Sequence, residues 1–106
     1  MANFNPAYQF TNKVEGGYDN DPDDHGSETA LGISRKFWPG WSGWKLIDAY
    51  KAKYGIQDID HYLFTDPDIL AARQSFYLAN FWNPLKLSEI NDQQVAGAVY
   101  DFGVNA

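Results

Sequence analysis

Core-facing positions at the start of the chain recur every three or four residues: Phe4, Ala7, Tyr8, Phe10, Thr11 and Val14. With Pro6 near the front, this spacing predicts an amphipathic helix. The helix is expected to stop at Glu15, because Gly16-Gly17 follows and glycines end helices well. Residues 18–32 are rich in Asp, Asn, Gly, Pro and Ser, and predict turns or a short irregular hairpin. Pro39-Gly40 interrupts any helix there. Leu46, Ile47, Ala49 and Tyr50 predict a short helix ending near Gly55, and Asp58-Ile59-Asp60 a further turn. Asp66-Pro67-Asp68 is a helix start, with Pro at the first helical position and acid in the first turn. Ile69, Ala72, Arg73, Phe76, Tyr77 and Asn80 continue it until Asn83-Pro84. A last helix is expected from about Ser88 or Asn91, with Val95, Ala98, Val99 and Phe102 as its apolar face. The expected class is mainly α, one domain with an irregular loop or hairpin near residues 18–32.

Composition narrows the function more than the fold. The 106 residues suit one domain, and 44% hydrophobic content with 17% aromatics suffices for a core. The apolar runs are only a few residues long, so no bilayer-spanning segment and no stable membrane insertion are expected. Eight Lys and Arg stand against fourteen Asp and Glu, a net charge of −6. That is the opposite of the basic footprint of a nucleic-acid binder. With no cysteine there are no disulfides, no thiolate nucleophile and no Cys-based zinc site. Met1-Ala2-Asn3-Phe4-Asn5-Pro6 lacks the charged start and apolar run of a signal peptide, so synthesis in the cytoplasm is expected.

Candidate chemistry gathers at the helix end and the loop after it. Glu15 sits where its charge opposes the helix dipole, a placement that helix stability alone does not favour. Desolvation beside aromatic residues and the local dipole would raise its pKa toward neutrality, as a general acid requires. Asp24 follows nine residues later and Thr29 five after that. Glycoside hydrolysis needs an acid for the departing oxygen and a second group that handles water or stabilises positive charge on the sugar. An Asp in a polar loop stays ionised and suits the second role; a Thr hydroxyl can hold the water. From composition alone, a glutamate before a Gly-Gly cap reads first as a solvated surface residue.

The segment Val14-Glu15-Gly16-Gly17-Tyr18, with Pro22, Asp24, Gly26-Ser27, Thr29 and Gly32-Ile33, resembles the opening signature of glycoside hydrolase family 108. That family comprises phage and bacterial muramidases, some called secretion activator proteins. Ala71-Ala72-Arg73 through Tyr77 to Phe81-Trp82, and Val99-Tyr100-Asp101-Phe102-Gly103-Val104-Asn105-Ala106, agree with it as well. The resemblance implies a lysozyme-like helical catalytic domain over residues 1–106 that cleaves between N-acetylmuramic acid and N-acetylglucosamine. It maps the catalytic Glu onto Glu15 and its partners onto Asp24 and Thr29, with no cofactor. It also implies peptidoglycan glycan strands as partner, action in the periplasm or cell wall, and a holin-like pore or secretion route. The small C-terminal peptidoglycan-binding region of relatives is expected to be absent. Two other readings are a non-catalytic peptidoglycan-binding module and a lytic transglycosylase using Glu15 alone.

Tyr18 is expected in the cleft because it directly follows Glu15-Gly16-Gly17. Asp101 and Asn105, four apart on one helix face, are expected either at the far wall of the cleft or in a cap or buried hydrogen bond. Trp38, Trp41 and Trp44 fit a sugar-stacking wall or a core cluster. No metal site is expected. A calcium loop counted from Asp19 would need Gly and Glu where Asp24 and Ala30 stand. The two histidines, His25 and His61, form no zinc motif.

Overall fold

A computed structural model describes residues 1–12, 17–20 and 28–105. The fold is mainly helical, as expected. The elements are helices α1 (Phe4–Asn12), α2 (Gly43–Tyr54), α3 (Ile59–Thr65), α4 (Pro67–Tyr77) and α5 (Gln93–Asn105) and three two-residue strands, β1 (Tyr18–Asp19), β2 (Thr29–Ala30) and β3 (Ile33–Ser34). The expected end of α1 at Glu15 lies outside the described residues. The chain divides into two units, residues 15–73 and residues 1–14 with 74–106.

In the unit of residues 15–73 the expected hairpin is a three-stranded antiparallel sheet in the order β1-β2-β3. The β2–β3 turn is Leu31-Gly32, both at positive φ (54° and 82°), which matches the right-handed twist of the strands. Leucine is unfavourable there, but Leu31 is fully buried, and that burial offsets the strain. Helix α2 begins earlier than its apolar spacing suggested and ends at Gly55 as expected, with Gly55 at φ 73°. The turn expected at Asp58–Asp60 instead opens α3. Only Ile59 and Leu63 are buried in that helix, one i, i+4 pair, too short a pattern to announce a helix. Asp66 caps α4 as expected, its Oδ2 accepting from the Ile69 N–H at 3.0 Å.

Trp41 and Trp44 are core residues, 7% and 2% exposed, while Trp38 is 38% exposed. The Trp41 indole N–H donates to the Ala72 carbonyl (3.1 Å), and its ring meets Trp44 edge to face at 5.3 Å. A Cβ on Gly43 would run into that locked ring. Gly43→Ala is therefore expected to destabilise the protein by about 1–3 kcal/mol despite alanine's better helix propensity. Urea unfolding checks this, and an unchanged or higher midpoint refutes it.

In the other unit, α4 passes into a π-helical turn (Leu78–Trp82) and two 3-10 turns (Asn83–Leu85 and Leu87–Glu89). Phe4, Tyr8, Tyr77, Trp82 and Tyr100 form a linked aromatic cluster. Tyr100 donates its hydroxyl to Asn12 Oδ1 at 2.6 Å inside this core. Asp92 caps α5, accepting from the Gln94 and Val95 N–H groups. The expected apolar face of α5 is corrected. Val95, Val99 and Phe102 are 50%, 39% and 76% exposed, whereas Ala96 and Tyr100 are buried. Small residues explain the rotation: a Cβ on Gly97 would lie 4.0 Å from the Ala7 Cβ, so α5 approaches α1 through its glycine and alanine side. Phe10 of α1, also expected inward, is 69% exposed.

Candidate active site

The loop between β1 and β2 carries Asp24, and α1 leads toward Glu15; both residues lie outside the described ones. Thr29 is described. It pairs with Asp19 on one side and Ser34 on the other. Because strand side chains alternate between faces, Asp19, Thr29 and Ser34 form a row on one face, opposite the buried Ala30 and Ile33. The Thr29 hydroxyl is thus carried on the polar side of the sheet.

The other face holds a charged cluster that sequence reasoning missed. Glu28 is 7% exposed. Its Oε2 accepts from the Tyr18 hydroxyl (2.5 Å) and the Lys51 ammonium (2.7 Å), and its Oε1 from Arg35 Nη1 (2.9 Å). Lys51 also donates to the Tyr18 oxygen at 3.1 Å and sits 5.4 Å from the ring centroid. Arg35 forks onto both Asp48 oxygens at 2.8 and 2.6 Å. Tyr18, expected in the cleft, therefore has its hydroxyl committed to Glu28 and Lys51. The only sequence signal for this cluster was a charged residue inside a strand pattern whose neighbours Ala30 and Ile33 face the core. Gly17 has a local reason too: the Tyr18 N–H donates to Asp60 Oδ1 at 2.8 Å, and a Cβ on Gly17 would meet that carboxylate.

Burial works to raise the pKa of Glu28. Hydrogen bonds from Lys51, Tyr18 and Arg35, with the Lys51 charge, outweigh it and hold the carboxyl below its ordinary value of 4.5. The Glu28 hydrogen bond in turn raises Lys51. Burial, then the bond to Glu28, raises Tyr18. A depressed carboxylate binds fewer protons folded than unfolded. Its stabilisation is complete above about pH 4.5 and is lost as pH falls through the lower folded value. The urea midpoint is expected to fall with acidification below that pH, and to fall less steeply in Glu28→Gln. Parallel slopes for the two proteins would refute this.

In the unit of residues 1–14 and 74–106, Asp101 Oδ1 accepts from the Thr11 hydroxyl (2.9 Å) and from Asn105 Nδ2 (3.2 Å). Asn105 also donates to the Asp101 carbonyl at 3.0 Å. The two bonds between Asp101 and Asn105 are exposed, and the bond to Thr11 is partly buried. Asp101 nevertheless lines a groove with Pro6, Ala7, Phe10, Gly97 and Ala98.

Residues 8–106 match the family Glycosyl hydrolase 108. The chain belongs to that family. The match includes Glu15, Asp24, Thr29 and the whole sheet, so the catalytic class is glycoside hydrolysis and the substrate class is a glycan. No curated protein and no solved structure gives a match beside it. Among the described residues no group of His, Asp or Glu is arranged to hold a metal ion, and no helix is long and apolar enough to cross a membrane.

Proposed function

We propose that this glycoside hydrolase cleaves peptidoglycan between N-acetylmuramic acid and N-acetylglucosamine. Glu15 protonates the departing oxygen. Asp24 and Thr29 hold the attacking water or stabilise the oxocarbenium-like state. Membership of the family over residues 8–106 is the observation that carries this reading.

Elimination among the glutamates supports it. The chain has three, at 15, 28 and 89. Glu28 is ion-paired with two cations and held in its anionic form, the wrong state for a proton donor. Glu89 is exposed in a 3-10 turn. Glu15 is the glutamate that remains. Asp101 is proposed to contact the glycan from the groove that it shares with Phe10, and Asn105, bonded to it, to contact the glycan beside it. Tyr18 is proposed to offer it ring surface rather than its hydroxyl. The wall glycan lies outside the cytoplasmic membrane, so a pore or secretion route would deliver the enzyme.

The test is product analysis on purified peptidoglycan with the native chain and Glu15→Gln. A muramidase leaves reducing N-acetylmuramic acid ends. A lytic transglycosylase leaves anhydro ends, lighter by one water, and a binding module leaves the glycan intact.

A further inference from the structure

Glu28 is the only buried carboxylate among the described residues. It joins four elements at once. Tyr18 comes from β1, Glu28 directly precedes β2, Arg35 directly follows β3, and Lys51 lies in α2. The backbone adds a fourth contact to Glu28, Arg35 N–H to the Glu28 carbonyl at 2.9 Å. Strands of two residues carry few ladder hydrogen bonds, and such short pairing is weak by itself. Side chains must therefore hold the base of the loop. The Tyr18–Glu28 bond crosses from one end of that loop to the other, and Lys51 caps both partners from the helix. Thr29 is the next residue after Glu28, with its side chain on the opposite face of the sheet.

We propose that Glu28 is a positioning residue: with Tyr18 and Lys51 it latches β1 to the start of β2 and thereby fixes Thr29 for catalysis. This rests on the proposed roles of Glu15, Asp24 and Thr29. Its consequence differs from that of a merely structural ion pair. Catalysis depends steeply on geometry, and a displacement of about 1 Å costs up to about 100-fold in rate. Loosening the latch therefore lowers turnover in molecules that remain folded and still bind glycan.

The experiment uses the intact chain and soluble peptidoglycan fragments, at a temperature where circular dichroism shows every protein folded. Glu28→Gln keeps the shape and removes the charge; Tyr18→Phe keeps the ring and removes the hydroxyl. Each is expected to lower kcat by about 10-fold or more, with KM changed less than about 2-fold. The Leu31 amide, which bonds the Gly17 carbonyl at 3.1 Å, is expected to exchange its hydrogen faster in both variants. Unchanged kcat in the folded variants, or unchanged Leu31 exchange, overturns the latch. If Glu28→Gln fails to fold, Tyr18→Phe decides alone. Glu15→Gln run in parallel separates the two readings: full activity there overturns the Glu15 assignment, while the latch is still judged by Leu31 exchange and by its own kcat values.

Discussion

Glu15→Gln is expected to lower glycan cleavage by about 1,000-fold, the middle of the range for loss of a general acid. Glutamine matches glutamate in size, so binding and folding should change little. What it lacks is a proton acidic enough to pass to the glycosidic oxygen as the bond breaks. The loss should therefore fall on kcat rather than KM, the mark of an interaction made in the transition state. Glu28→Gln is the informative comparison, because it removes a carboxylate that is ion-paired with Arg35 and Lys51. It should lose roughly 10-fold, not 1,000-fold, if Glu28 positions Thr29 and Glu15 delivers the proton. Activity of Glu15→Gln within a few-fold of the native chain would sink the assignment.

Local pattern was legible wherever one residue type dictates one conformation. Asp66-Pro67 started α4, Gly55 ended α2, and the polar run from Tyr18 gave the sheet. Large apolar residues misled where small ones did the packing. Val95, Val99 and Phe102 outweigh Ala96 and Gly97 on any hydropathy scale, yet α5 turns its small residues and Tyr100 inward. Tyr100 belongs there because Asn12 accepts its hydroxyl, a pairing across 88 positions that no local window contains.

The same limit applies to the charged cluster. The family signature brought out Glu15, Asp24 and Thr29 by resemblance, and Tyr18 by its place beside Glu15. Glu28, Arg35, Asp48 and Lys51 are spread over 24 positions and carry no motif. Their meeting depends on the β2–β3 turn at Leu31-Gly32 and on α2 lying against the sheet. Before folding, a Glu beside a Thr in a polar loop reads as solvated surface.

Trp44→Ala is expected to destabilise the protein by about 3–5 kcal/mol, the usual range for emptying a buried aromatic site. The side chain is 2% exposed and packs on the stretch from Arg35 to Trp41. Its indole N–H donates to the Trp38 carbonyl (3.0 Å), its ring and that of Trp41 meet edge to face, and the Arg35 guanidinium sits 5.1 Å from its centroid. Alanine removes all three contacts and leaves a cavity too large for rigid neighbours to fill. For a chain of this length the melting temperature should fall on the order of 20 °C. Total stabilities of such domains are about 5–15 kcal/mol, so a loss of this size is a large share of the whole. Trp44→Phe separates volume from hydrogen bonding. It restores much of the ring but not the N–H donor, and should recover more than half of the lost stability if packing dominates. Equal losses in the two variants would instead assign the effect to the bond with the Trp38 carbonyl. A melting temperature for Trp44→Ala within a few degrees of the native chain would contradict the core described for residues 15–73. Arg35 adds a coupling that a plain core residue would lack. With its aromatic platform gone, its hold on Glu28 should weaken, so the acid sensitivity carried by Glu28 should be reduced in Trp44→Ala and preserved in Trp44→Phe.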